Sequence, residues 1–375
     1  MNEYRDTVAI TNLGAYKRNL KKIKRFVGAS VRLMAVIKAN AYGHGLVECA
    51  GTALEAGASM LGVALVSEGI TLRKAGIDAP ILVFVPESPS SWNLYCSCNL
   101  TMSIISAEML GDVRSLLEKN TAGCRAHINV DTGMGRVGIH PDKAVELVEK
   151  ASRISGLTVE GIYTHFPSAD DDRDDFSQSQ IDRFTALLDA LSERGIRPPL
   201  AHMCNSAGTL KFPGAHLDLV RPGIMTYGLT PFPGNRDILE LEPVLSLTSR
   251  IRYIKEAPAG TPISYGGTFV TKRPSRLATV PIGYGDGYNR HLSNRGRAIV
   301  NGTFVPVAGR VCMDQTVFDI TDAGSVCVGD SITLIGRNGD KRITVEEHAE
   351  IAGTISHEIV TGITGRVSRS FIKSS

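Results

Sequence analysis

The chain has 375 residues, with 41 Lys and Arg against 38 Asp and Glu and a formal net charge of +3. That length suits about two domains rather than one, and so even a charge balance offers no footing for a nucleic acid or a membrane surface. Hydrophobic residues at 43% and charged residues at 21% are ordinary for a soluble globular chain, and no apolar run approaches the ~20 residues that span a bilayer. The opening MNEYRDTVAI is charged and lacks an apolar core, so it does not read as an export signal. The 7 cysteines are scattered and odd in number, which predicts reduced thiols in the cytoplasm. Cys96 and Cys98 form a lone CxC with no second pair at ligand spacing, so no metal site is expected.

In chain order, short β-branched runs predict strands at 31–38, 60–65, 81–85, 101–105, 126–130, 157–164, 200–203 and 219–221. Helical spacing of apolar residues lies between them, at 13–26, 106–119, 141–154 and 177–194. Roughly eight strand–helix alternations suggest a (β/α)₈ TIM barrel. A doubly wound sheet is the competitor, but ANAYGHG after Lys38 does not match the glycine fingerprint that would favour it. Near PFPG at 231–234 the texture changes. Alternating runs at 244–254, 276–282, 297–307, 315–320 and 331–335, separated by Gly, Pro, Asp and Asn, predict an antiparallel β domain. The expected division is therefore a barrel over 1–233 and a C-terminal β domain over 234–375. The acidic run at 170–175 reads as a solvated loop.

In a barrel the working residues sit at the carboxyl ends of strands. That rule selects Lys38, His165, Asn205–Ser206 and Arg221, and Arg136 in the loop after the fifth strand. A lysine closing an apolar strand is partly desolvated and becomes a nucleophilic amine; a side chain snorkelling to solvent is the plain alternative. Arg136, in DTGMGRVG, suits a carboxylate or a surface ion pair equally well. His165 alone is more often a structural histidine. Asn205 is a good helix N-cap. The turn RPGI at 221–224 falls where barrels commonly bind phosphate. Tyr265, Tyr284, Met313 and Asp314 lie in glycine-rich turns of the β domain and decide nothing singly.

Together the motifs resemble the alanine racemase family. AVIKANAYGHG, INVDTGMGRVG, HMCNSAGTL, RPGIMTYG, SYGGTF, GYGDGY and GRVCMDQ follow one another in the family's order over essentially the whole chain. The resemblance implies a pyridoxal 5'-phosphate enzyme and a homodimer with shared active sites. Lys38 resembles the lysine that carries the cofactor and acts as one catalytic base; Tyr265, from the other subunit, resembles the second. Tyr42, Ser206, Gly223, Ile224 and Asn205 match positions around the cofactor phosphate. Arg221 matches the residue facing the pyridine nitrogen, and His165 its link to the catalytic tyrosine. Arg136 and Met313 match substrate-carboxylate contacts, Tyr284 a pocket tyrosine, with Asp314 beside them.

Two bases on opposite faces of a carbon acid suffice for inversion. A phenol ordinarily keeps its proton at neutral pH, so a chain from Tyr265 through His165 to Arg221 would supply stabilising positive potential. Arg221 keeps its own proton and would leave the pyridine nitrogen unprotonated, limiting side reactions. Two positions depart from the family: Asn129 stands where many members have a lysine, and Gly365 where some have a phosphate-binding tyrosine. A racemase of serine or a broader set, a barrel decarboxylase, and a cofactor-binding protein without activity are the competing readings.

Overall fold

The computed structural model describes residues 5–118, 123–171, 175–232, 234 and 238–373. Asp172–Asp174 of the acidic run, Pro233 at the expected domain boundary and Lys119 at an expected helix end lie outside the described residues. The first strand, β1 (Val8–Asn12), precedes a helix at Leu13–Val27. Eight parallel strands follow: β2 (Arg32–Val36), β3 (Met60–Val63), β4 (Ile81–Val83), β5 (Thr101–Ile104), β6 (Cys124–Asn129), β7 (Leu157–Tyr163), β8 (Leu200–His202) and β9 (Leu219–Val220). Each coincides with a run expected from the sequence. Neighbours pair in order from β2 to β8, and β9 returns to pair with β2. Asp218 N–H donates to Ala201 O at 3.1 Å and Arg221 N–H to Cys204 O at 2.9 Å, which bridges the β8–β9 seam. The sheet is therefore a nearly closed barrel, β8 and β9 meeting through these flanking bonds rather than through a strand ladder.

Large side chains fill the barrel interior. Met34, Met60, Leu82, Tyr163 and Leu219 form a buried cluster, with Phe84 packed against it. Gly62 is small because Phe84 needs the space: a Cβ there would lie 2.7 Å from that ring.

The remaining strands are β10 (Leu245–Arg250), β11 (Tyr253–Ala257), β12 (Pro262–Ile263), β13 (Phe269–Val270), β14 (Ser275–Val280), β15 (Arg297–Val300), β16 (Thr303–Pro306), β17 (Thr316–Asp319), β18 (Ser331–Asn338), β19 (Lys341–Ile343) and β20 (Ser368–Ile372). The runs at 244–254 and 297–307 each prove to be two strands: β10 with β11, and β15 with β16. The latter is a hairpin turned by Asn301 and Gly302, both at positive φ.

The chain packs as two compact units. One holds the barrel, Tyr16–Ala41 with Leu46–Leu241; the other takes the described residues up to Ala15, Tyr42–Gly45 and those from Glu242 on. β1 belongs to the second unit because it pairs antiparallel with β10 and parallel with β20. Such a partner is more than two hundred residues away, and nothing local in VAITN signals it.

One expectation fails. The cysteines are not all reduced: Cys96, in the helix Asn93–Ser97, is bonded to Cys124 at the start of β6, with Cα atoms 5.1 Å apart. The helix end and the strand start meet at one end of the barrel, within disulfide reach. Cys49, Cys98, Cys204, Cys312 and Cys327 are free.

Candidate active site

The barrel places Lys38 just past the end of β2, where the backbone turns left-handed. Ala39, Asn40, Ala41 and Tyr42 have φ of 52°, 56°, 52° and 53°. For residues with a Cβ that conformation costs about 1–2 kcal/mol each, so surrounding contacts must impose it. Glu68 supplies one. Its carboxylate accepts the Ala39 N–H at 2.6 Å and the Ala64 N–H at 2.8 Å. Asn40 Oδ1 accepts the Leu46 N–H at 2.9 Å. Burial and then the Arg136 charge push the Lys38 ammonium below its ordinary range, with Glu68 opposing them. The positive charge on this amine is thus disfavoured relative to a free lysine. Glu68 escaped the sequence reading, although an acid three residues into a helix after a barrel strand is a capping signal.

Arg136 rides on a glycine loop after β6. Asp131 Oδ1 accepts the N–H groups of Gly133 at 2.9 Å and Gly135 at 3.0 Å. Gly138 has φ 130°, and a Cβ there would stand 2.8 Å from Asp131 N. The folded loop leaves the Arg136 side chain exposed. Asn129 is buried at the end of β6, and the Tyr163 hydroxyl of the neighbouring strand lies 2.9 Å from Ser103 Oγ.

Arg221 is buried behind this mouth. Its guanidinium donates to Thr164 O at 2.7 Å, Met203 O at 3.2 Å, His202 Nδ1 at 2.7 Å and His165 Nδ1 at 3.3 Å. It lies 5.3 Å over the Tyr163 ring, which stacks on His202. Burial lowers Arg221 to about 10, which still leaves it cationic at neutral pH. Burial, then the charges of Arg221, Arg136 and Lys38, push His165 down to about 3. His165 is therefore neutral. Because Nδ1 faces the arginine donor, its proton is on Nε2.

Asn205 caps the helix Ser206–Lys211: its Oδ1 accepts the Gly208 N–H at 2.9 Å, and its Nδ2 donates to Phe166 O at 3.2 Å. Ser206 Oγ accepts the N–H groups of Gly223 at 3.0 Å and Met225 at 3.4 Å. Its hydroxyl proton remains to donate. Ile224 opens a short 3₁₀ turn, so its N–H is among the donors that a first turn leaves unpaired.

The second unit collects the other expected residues on its own surface. Tyr265 follows Ser264, whose φ is 63°, and is 70% exposed. Ser264 Oγ donates to Arg310 O at 2.6 Å and lies 3.5 Å from Cys312 Sγ, which sets the tyrosine turn beside the loop carrying Met313 and Asp314. Tyr284 N–H donates to Cys312 O at 3.0 Å, and Gly285 N–H to Met313 O at 2.9 Å. A Cβ on Gly283 would sit 2.2 Å from Cys312 O, so only glycine permits this lacing. Tyr284 and Met313 are also exposed. Asp314 pairs with Arg366 at 2.6 Å, and buried Asp286 pairs with Arg5 at 2.6 Å; neither arginine stood out in the sequence. Tyr42 is buried here, its ring 5.8 Å from that of His357. Gly43 is pressed so closely on Val360 O that a Cβ would stand 2.2 Å away. A side chain at Gly365 would meet open space, so the missing tyrosine is no steric necessity.

A barrel mouth holding a desolvated lysine, a cationic arginine and a cluster of amide and hydroxyl donors defines an enzyme working on amino groups through a phosphorylated carbonyl cofactor. The family models "Alanine racemase, N-terminal domain" and "Alanine racemase, C-terminal domain" match residues 11–231 and 244–371. An alanine racemase of Halothermothrix orenii is 43% identical, covering 98% of this chain and 97% of its own. Alanine racemase 2 of Bacillus subtilis is 42% identical, covering 96% and 93%. Among solved structures, alanine racemase from Bacillus anthracis with bound L-Ala-P has a TM-score of 0.93 and 40% identity, over 99% of this chain and 96% of that one. The enzyme from Streptomyces lavendulae also has a TM-score of 0.93, at 35% identity over 99% and 98%. The chain belongs to the alanine racemase family, and its cofactor is pyridoxal phosphate. The residues present fit that group: an amine for its aldehyde, hydroxyl and amide donors for its phosphate, and a cation for its ring.

Proposed function

We propose that the protein interconverts L-alanine and D-alanine by moving the Cα proton between two bases on opposite faces. Pyridoxal phosphate, when bound, supplies the electron sink that makes this proton removable. Lys38 would hold the cofactor's aldehyde carbon, and Ser206, Gly223 and Ile224 its phosphate. Lys38 Nζ, whose charged form burial and Arg136 disfavour, would take or return the proton on one face. Tyr265 of a second copy does so on the other, since a tyrosine left 70% exposed is available to a partner. The His165 Nε2–H is a suitable donor to the phenolate that Tyr265 becomes, with Arg221 behind it. Arg136 and the Met313 backbone would bind the substrate carboxylate, with Tyr284 and Asp314 bounding a pocket for a small side chain. A homodimer with shared sites follows from this division of labour. Five free cysteines support a cytoplasmic place, with Cys96–Cys124 the exception; D-alanine for peptidoglycan would be the product.

The depressed Lys38 amine beside Arg136, at the mouth of the barrel, carries this reading. The test is incubation with pyridoxal phosphate and L-alanine, L-serine or L-lysine, with products resolved by chiral chromatography. D-alanine should form fastest, and Lys38→Ala should form none. Preferred inversion of serine or lysine would move the substrate. Release of carbon dioxide, or no inversion by a cofactor-loaded protein, would reject the racemase.

A further inference from the structure

Arg221 is a buried cation whose acceptors, given above, are two carbonyls and two imidazole nitrogens, all neutral. One of those imidazoles leads deeper into the barrel. His202 Nε2 lies 2.8 Å from His127 Nδ1, and both rings are fully buried. Among the described residues His127 Nε2 is buried without a hydrogen-bond partner. The fold makes specific room for this ring. The β6–β7 register slips between Ala126 and His127, and a Cβ on Gly161 of β7 would stand 2.5 Å from His127 Nδ1. A buried polar ring placed at the expense of a regular ladder and an unpaired nitrogen needs a reason.

The direction of the chain follows from elementary inventory. A guanidinium can only donate, so the His202 Nδ1 facing Arg221 must be a bare acceptor. The His202 proton is then on Nε2 and points at His127 Nδ1, which must in turn be bare. The His127 proton is left on Nε2. A second proton on either ring would set donor against donor.

We propose that His127 is a positioning residue: it locks His202 in the Nε2–H form, and His202 thereby holds the Arg221 guanidinium in the orientation required against the cofactor ring. This rests on the reading in which Arg221 faces that ring. The surroundings agree with neutral rings. Burial, then Arg221 and Arg125, push His127 down to about 3, and burial with Arg221 and His127 carries His202 well below its ordinary value.

The chain can be read directly in the cofactor-free protein by two-dimensional ¹H–¹⁵N NMR of the imidazoles, assigned with single histidine variants. At neutral pH both His127 and His202 should carry a proton on Nε2 alone. A proton on Nδ1, or two protons on either ring, would overturn the proposal. Binding of pyridoxal phosphate then tests the consequence. His127→Gln keeps an acceptor for the His202 proton, whereas His127→Leu does not. The leucine variant should bind the cofactor about tenfold more weakly and lose the His202 tautomer, while the glutamine variant should stay within about threefold of the parent, as expected for one buried hydrogen bond serving a charged group. Gly161→Ala, which displaces the ring and removes no polar atom, should behave like leucine. Unchanged affinity and tautomer in His127→Leu would refute the positioning role. Failure of the parent protein to bind pyridoxal phosphate would instead sink the functional reading, and the tautomers would still decide the chain.

Discussion

At the scale of single residues, the proposed chemistry depends on groups whose surroundings change their ordinary behaviour. The pKa of Lys38 is lowered by burial and by Arg136, and His165 is kept neutral beside Arg221. Tyr265 is different: its turn is held by Ser264 and two glycines at positive φ, while its side chain is left exposed. Removing only its hydroxyl should therefore spare folding and cofactor binding. Tyr265→Phe is expected to keep the cofactor's absorbance and to lose about 10²–10⁴-fold in racemisation, the usual worth of a positioned acid–base group. Activity within a few-fold of the parent, by polarimetry, would remove Tyr265 from the reaction. Asn205 shows the opposite case. Both ends of its amide are engaged by the protein itself, so the structure gives it a capping role that its sequence context already suggested.

At the scale of elements, the turn after β2 is the most costly piece of backbone in the barrel. Its four left-handed residues include Ala39, whose side chain is exposed. Glycine there would relieve about 1–2 kcal/mol of strain against about 0.5–1 kcal/mol of extra unfolded-state freedom. Ala39→Gly should thus stabilise the protein by roughly 0.5–1 kcal/mol, read from the midpoint of urea unfolding. A lower midpoint would mean that the strain is not present in solution. Strand existence was legible because each barrel strand is a short apolar run bounded by turn residues. The left-handed turn was not, because ANAY contains no glycine where the backbone demands positive φ. Its shape comes from Glu68 and Asn40 holding backbone N–H groups, partners that only the fold brings near.

At the scale of the whole molecule, three fully buried histidines should govern the response to acid. His127 and His348 are lowered to about 3 and about 4, chiefly by burial, and His202 lies well below its usual value. Below about pH 6.5 the unfolded chain binds a proton at each of them and the folded protein does not. Stability is therefore complete above that pH and falls as the pH drops toward 3–4, by up to about 1.4 kcal/mol per unit for each histidine. Denaturant unfolding at pH 7 and pH 5 should show the loss; equal midpoints would mean that these rings are protonated in the folded state. The disulfide gives a second test. Alkylation of the denatured protein without reductant should modify five cysteines, and all seven after reduction. Seven in the first experiment would leave the pair reduced.

The order of amino acids alone was enough for the succession of barrel strands, the antiparallel β strands that follow them, and the family; it also singled out Lys38, Arg221 and Tyr265 as the residues on which the proposed chemistry rests. These are local patterns and motifs, written where the chain passes. Whatever depends on distant partners had to wait for the folded molecule. Folding placed VAITN in the second unit through pairing with β10 and β20, and it joined Cys96 to Cys124 across 28 residues. It also brought His127 and His202 into line with Arg221, because strands far apart in sequence turn these side chains into one buried interior, where neutral rings must satisfy a charge.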